Sequence, residues 1–565
     1  MTPDETGTAG YKYSFRHNPI LLKNAAAKLA KKKHFFTLFK VHSIIFAIMR
    51  KAIVTLAVLS MLMGGGASAS GQARPAAKSI EQSPQYVQDY INIISSAEPM
   101  KSASLGVMAM TVGGKTLVSH NADKKLIPAS NTKLLSTGLA IHELGADFKF
   151  KTRIGYSGTV EDGVLKGDLY IIGGGDPTLG VKDTIVSYVD ATFAKWYNAM
   201  KAAGIKSIDG RIIGDGRYFE GQLERNSWEY EDIGTYYGTG GNGLSFYRNV
   251  VDISVKAGSK VGAPISHEVT YPEMPWMTYV YSCTTGAKGT GDQLYLYTTD
   301  LAPIGDLRGT FAIDRQPKKE EVSNKFGALT CAQYFSKYLE KYSVRAKGGI
   351  ADTDVNGNIR TGIYPSQTAG KAEDVEKLTI ISTTESPTLK RIARVTNYES
   401  DNFYAETLLR TVSKKRTGSA AYDSCGVAAS KVFKDLGIDD SYGIDLVDGS
   451  GLSRQDNISP DFFCRFLKAM MSSPAFPDYI ETLLSPGKGS YSARMADESE
   501  ALKKRIFLKS GSMNGVRCFS GYIVPSDGGK DDTIVFSVMV NNYSGPNWKV
   551  MGQLDKIIAL IASMN

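Results

Sequence analysis

Serine, lysine and asparagine side chains recur together in three short stretches that lie far apart: P-A-S-N-T-K at 128–133, S-D-N at 400–402 and K-S-G at 509–511. If they serve one site, a single domain must close across the 266 residues that lie between Lys133 and Ser400. Local patterns on both sides fit such a closure. Ser83–Ala97 reads as a helix with Pro84 in its first turn. Leu105–Val118 alternates as strands around a Gly113-Gly114 turn. Pro128 breaks the chain ahead of a helix that runs to about Leu144 and is closed by Gly145. Beyond Thr388, helices at Leu389–Asn397 and Phe403–Val412 flank S-D-N. Ile506–Lys509, Val516–Val524 and Thr533–Asn541 read as strands. Trp548–Met564 is an amphipathic helix with Val550, Leu554, Ile557, Ile558 and Ile561 on one face, suited to packing on a sheet.

From about Phe148 to Glu373 the character changes. Strand-like pieces at 170–178, 211–217 and 250–255 alternate with Gly/Asp turns. Helix signals return only near Asp190–Ala203 and Ala328–Lys341. This reads as a β-rich region inserted into the first domain. The glycine run at 173–175 lacks the G-K-[ST] of a phosphate loop, so it reads as a turn. The expected division is an N-terminal extension with an export signal over 1–73, a first catalytic part over 78–147, an insertion over 148–373 and a second catalytic part over 374–565. The expected fold class is α/β, in the α+β sense, with the insertion forming one or two further domains.

At 565 residues the chain exceeds one ordinary domain, and 42% hydrophobic residues supply several cores. The net charge of +9 is misleading, because residues 1–48 carry eight Lys/Arg against two acids and Arg50 and Lys51 add two more. The remainder is close to neutral, so a nucleic-acid partner is not indicated. Met49-Arg50-Lys51, the apolar run Ala52–Met63 and Ala67-Ser68-Ala69 have the order of an export signal. That run is short for a membrane span, so no firm span is expected in the mature chain. The five cysteines, Cys283, Cys331, Cys425, Cys464 and Cys518, leave at least one thiol free, and their spacing identifies no pair. No histidine pair has metal-ligand spacing, so no metal site is expected.

The residue types point to a serine nucleophile with a lysine base. Ser130 and Lys133 lie three apart and share a helix face. At a helix N-terminus, Ser130 would also feel the positive end of the dipole. Lys133 can take a proton only if burial or a second cation, here Lys509, lowers its pKa. Ser400 is placed to relay a proton and Asn402 to hold a substrate amide. Lys509 and Ser510 suit a substrate carboxylate beside an open strand edge. The small Gly511 admits a close backbone. The backbone N–H groups of Ser130 and Ser512 are the natural oxyanion donors. No histidine follows residue 267 and no G-x-S-x-G elbow is present, although His120 and His142 leave a histidine base open.

Taken together, the motifs match the S-x-x-K, S-D-N and K-[ST]-G signature of penicillin-binding proteins and related β-lactamases. Further stretches narrow the likeness: G-G-D-P-T-L at 174–179, S-D-N-F-Y-A-E-T-L-L-R at 400–410, D-G-S-G-L-S-R at 448–454 and K-S-G-S-M-N-G-V at 509–516, followed by S-G-Y at 520–522. Over roughly residues 80–565 the chain resembles the D-alanyl-D-alanine carboxypeptidase/endopeptidases of the class C penicillin-binding proteins. Ser510 stands where that family usually has threonine and keeps the hydroxyl. The resemblance implies a β-lactamase/transpeptidase-like domain, no cofactor, periplasmic action on peptidoglycan stem peptides, and β-lactam antibiotics as inhibitors. It also implies a pocket for a free diaminopimelate end. There Asp232 and Tyr237 would face the amine, Arg454 would meet the carboxylate, and Met513 would supply an apolar wall. The competing readings are a β-lactamase or esterase on the same fold, and an inert wall-binding protein.

Overall fold

The computed structural model describes residues 83–181, 185, 189–361 and 367–564. The export-signal stretch read at 49–69 lies outside these residues.

A five-stranded antiparallel sheet organises the catalytic part. Its order is Thr116–His120, Ser104–Thr111, Ile534–Asn541, Val516–Ile523 and Ile506–Met513. The early strand docks beside the late one, with Ser104 opposite Asn541 and Thr111 opposite Ile534. The sheet therefore forms only when the two ends of the described chain meet. Ile534–Asn541 is buried along its whole length because helices cover both faces. Val535 and Met539 enter a core shared with the helices Lys133–Leu144, Asn402–Thr417 and Pro460–Ser472. Phe536, Val538 and Val540 enter a second core, shared with Pro84–Ser95 and Asn547–Ala562. The apolar face read on the last helix is what packs there, with Val550, Leu554, Ile557, Ile558 and Ile561 all buried.

The intervening region has cores of its own. A seven-stranded mixed sheet carries the parallel strands Leu169–Ile172, Ile212–Asp215 and Ile350–Thr353 at its middle. The helices Val189–Ala202 and Gly327–Glu340 pack on it through an aromatic cluster that includes Phe193, Trp196 and Phe335. Two three-stranded sheets enclose a further core of Val251, Ile253, Leu296, Leu307 and Phe311. The strand Thr379–Glu385 pairs with Lys151–Tyr156 and so belongs to the seven-stranded sheet. The region thus returns to the catalytic part beyond residue 373, where the sequence division had placed it. The boundary at 373 was read from a change of composition, and only pairing assigns the strand that follows it.

The glycine run at 173–175 is explained by close packing. A Cβ on Gly173 would lie 2.1 Å from the Gly243 carbonyl oxygen, and Gly175 N–H donates to that same oxygen. All five cysteines are free and buried in these cores.

Candidate active site

Ser130 sits in a 3-10 turn, Ala129–Thr132, that runs directly into the helix Lys133–Leu144. The turn begins at Ala129 with φ +46°, an uncommon value for a residue with a Cβ. Two glycines hold it from outside. A Cβ on Gly511 would lie 2.4 Å from the Pro128 carbonyl oxygen, and one on Gly451 would lie 1.9 Å from that of Ala129. Gly511 is therefore required by the turn that carries Ser130, a reason distinct from substrate approach. Gly451 also has φ +78°. Gly451→Ala should lower unfolding stability by at least about 2 kcal/mol, the left-handed penalty plus a forced backbone shift. Equilibrium denaturation checks this, and unchanged stability would count against the packing described.

Lys133 is fully buried. Its Nζ donates to Ser130 Oγ at 2.9 Å, to Asn402 Oδ1 at 2.6 Å and to the Ser450 carbonyl at 2.9 Å. All its protons thus have acceptors, as a buried ammonium requires. Burial lowers its pKa to about 8, although Glu406, Asp448 and Asp401 pull the other way. Lys509, also fully buried, donates to Ser400 Oγ at 3.0 Å and to the Ser510 carbonyl at 2.8 Å. Burial, then repulsion from Lys133, sets its pKa well below the ordinary value. The sequence reading made Lys509 a cause of the Lys133 shift. Burial is the leading cause for both amines, and the repulsion between the two cations is mutual.

Leu508 exchanges backbone hydrogen bonds with Leu484 across the outer edge of the sheet. By the alternation of an antiparallel strand, Ser510 and Ser512 turn their backbone groups to that same edge. Beside it lies a cleft of about 500 Å³ lined by Ser130, Ser400, Asn402, Ser512 and Met513, among others. The proposed oxyanion donors thus fall on one side of it.

The intervening region supplies the opposite wall. Asp232, Tyr236, Tyr237 and Arg248 all line the cleft. The Asn402 amide donates to the Tyr237 carbonyl at 2.9 Å. Arg410, eight residues beyond Asn402, donates to the carbonyls of Glu220, Gly241 and Ala420. Burial raises the Asp232 carboxyl to about 6, with a hydrogen bond from Tyr237 opposing and the charges of Glu229 and Glu231 adding. Arg454 is engaged by Glu229, at 3.0 Å, and is not a free guanidinium. Neither His120 nor His142 lines the cleft; His142 Nδ1 lies 2.8 Å from Ser473 Oγ.

Sequence reading missed two buried carboxyls beneath the site. Glu406 accepts from Gly449 N–H at 3.0 Å and Ser450 N–H at 2.7 Å, fixing the turn whose carbonyl receives Lys133. Asp448 accepts from Gly451 and Ser453 N–H and from Trp228 Nε1. Both lie in stretches quoted above. The usable signal was the i, i+4 spacing of Asn402 and Glu406, which puts them on one helix face.

A serine hydroxyl bonded to a buried lysine of lowered pKa, beside a second buried lysine and an open strand edge, is an arrangement suited to serine acyl transfer. Residues 88–559 match the D-Ala-D-Ala carboxypeptidase 3 (S13) family, and the chain belongs to it. It is a serine-type D-Ala-D-Ala carboxypeptidase of the penicillin-binding class. The chain is 26% identical over 518 residues to a D-alanyl-D-alanine carboxypeptidase of Actinomadura sp., covering 88% of this chain and 87% of that one. It is 25% identical over 470 residues to a penicillin-sensitive carboxypeptidase A of Dictyostelium discoideum, covering 79% and 83%. Penicillin binding protein 4 (dacB) from Haemophilus influenzae shares the fold, with TM-score 0.68, 20% identity, and coverage of 83% of this chain and 97% of that one.

Proposed function

We propose that Ser130 is acylated by peptidoglycan stem peptides ending in D-Ala-D-Ala, and by penicillins, with Lys133 as the base. The observation that carries this reading is the 2.9 Å contact between Ser130 Oγ and a fully buried Lys133 whose pKa is about 8. Neutral Lys133 takes the Ser130 proton while Oγ bonds to the carbonyl carbon of the penultimate D-Ala. The N–H groups of Ser130 and Ser512 meet the developing oxyanion. Asn402 holds the peptide amide. As the C–N bond breaks, the departing D-Ala amine receives a proton from Lys133 through the Ser400 hydroxyl. Water then cleaves the acyl-enzyme by the reverse relay. Lys509, with Ser510 beside it, offers the arriving substrate carboxylate an ammonium partner. The catalytic part is built from the segments either side of the insertion, which shapes substrate choice. An export signal at 49–69 would place the action in the periplasm. Among the described residues, no helix is long and apolar enough to cross a membrane.

Digestion of purified muropeptides tests the reading. Release of D-Ala from pentapeptides is expected, together with cleavage of cross-linked dimers. Absence of both products would overturn it. Rapid turnover of penicillin without peptide cleavage would favour a β-lactamase.

Asp232 supports a side-chain pocket, with Tyr237, Arg454 and Met513 around it. Asp232→Ala should lower kcat/KM for stem peptides with a free diaminopimelate end by about 1–3 kcal/mol, the value of a charged hydrogen bond. Because the Asp232 carboxyl is held at about 6, it is charged above that pH, and the preference should fade as pH drops through it. Penicillin acylation should barely change. Equal losses on both substrates would make Asp232 a support of the fold.

A further inference from the structure

Between the inserted cores and the helix Asn402–Thr417 lies the guanidinium of Arg248, in an unusual backbone setting. Tyr247, Arg248 and Asn249 have φ of +53°, +53° and +51°. None is glycine, and each such residue costs on the order of 1–3 kcal/mol. Three in succession persist only if their surroundings fix them. Asn249 does much of this. Its side chain accepts from Phe246 N–H at 3.1 Å and donates to the Gly240 carbonyl at 2.8 Å. Its carbonyl accepts from Asn324 N–H at 2.7 Å. Gly327 leaves room for it, since a Cβ there would lie 1.9 Å from Asn249 Oδ1. Tyr247 N–H donates to the Leu179 carbonyl at 2.9 Å, and its hydroxyl to Asp252 at 3.1 Å.

The strained turn presents Arg248 to the catalytic part. Its Nη1 donates to Asp401 Oδ2 at 2.9 Å, and its Nη2 to both oxygens of Glu321 at 3.1 and 2.9 Å. Asp401 is the central residue of S-D-N. Its other oxygen caps the helix Asn402–Thr417 through Tyr404 N–H at 2.9 Å. The residues on either side, Ser400 and Asn402, are the ones that receive Lys509 and Lys133. Ser400 itself has φ +59°, so the S-D-N turn is strained as well.

We propose that Arg248 is a positioning residue: it clamps the Asp401 carboxylate from the inserted region and thereby sets Ser400 and Asn402 for acylation. The clamp acts with the Tyr237 carbonyl, which fixes the Asn402 amide. The insertion is then part of the catalytic apparatus as well as a specificity wall. This rests on the assignment of Ser130 and the S-D-N residues to the reaction.

A double-mutant cycle tests it, read as the second-order rate of acylation by benzylpenicillin per active molecule. Arg248→Met keeps the apolar stem and loses the fork. Asp401→Asn keeps the helix cap, since Asn caps as well as Asp, and loses the charge. Each should slow acylation roughly 10- to 100-fold, the scale of an ångström-level misplacement. The double variant should be no slower than either single one, because both remove one interaction. Arg248→Lys should recover only part, since a point charge cannot span Asp401 and Glu321. If Arg248→Met does not fold, Arg248→Lys against Asp401→Asn carries the same comparison. Wild-type rates per active molecule in the single variants, or losses that simply multiply, would overturn the inference. A wild-type protein that is not acylated at all would instead overturn the assignment beneath it.

Discussion

Ser130→Ala should abolish covalent labelling by penicillin and lower D-Ala release by about four to six orders of magnitude, the range seen when a covalent nucleophile is removed. Ser130 lines an open cleft but its Oγ accepts from the buried Lys133, so its loss should cost no more than about 1–3 kcal/mol of stability. A folded Ser130→Ala protein that still labels in full would place the nucleophile elsewhere.

The second large effect concerns Lys133 and is read most cleanly as a pH profile. Its pKa in the fold is about 8, against about 10.4 for free lysine. A lowered lysine pKa means that the neutral, basic form gains as pH rises through 8. The acylation rate should therefore climb through about pH 8 and level off well below the free-lysine value. A rate flat from about pH 6 to about pH 10 would contradict this. The same shift has a stability consequence. Between the two pKa values the unfolded chain binds the extra proton, so the Lys133 contribution to stability rises with pH across that window. Lys133→Ala should cost most of the activity. It also strands Asn402 Oδ1 and the Ser450 carbonyl without their donor, about 1–3 kcal/mol for each buried group left unpaired. Its kinetic effect must therefore be normalised to folded protein.

The sheet was readable because its chemistry is local. Mostly apolar runs such as Ile534–Asn541 and the amphipathic last helix announce burial by composition and period alone. The motifs were readable because Ser130 and Lys133 share a helix face and because S-D-N opens a helix. What could not be read is set by contacts between segments distant in sequence. Thr379–Glu385 joins the inserted sheet only through Lys151–Tyr156. Arg248 has no sequence signal at all, since its role comes from a left-handed turn that three other segments hold in place. Arg454 pairs with Glu229, a partner that no spacing announces. The Gly511 requirement was visible as a small residue in a strand. Its immediate cause, the Pro128 carbonyl, belongs to a segment almost four hundred residues earlier.

The central claim is that Ser130, bonded to Lys133, is the acylated residue. Mass spectrometry of the benzylpenicillin adduct after proteolysis tests it most directly. The account predicts one persistent adduct, on the peptide that carries Ser130, with fragmentation assigning the mass to that residue. A persistent adduct on any other serine would contradict it.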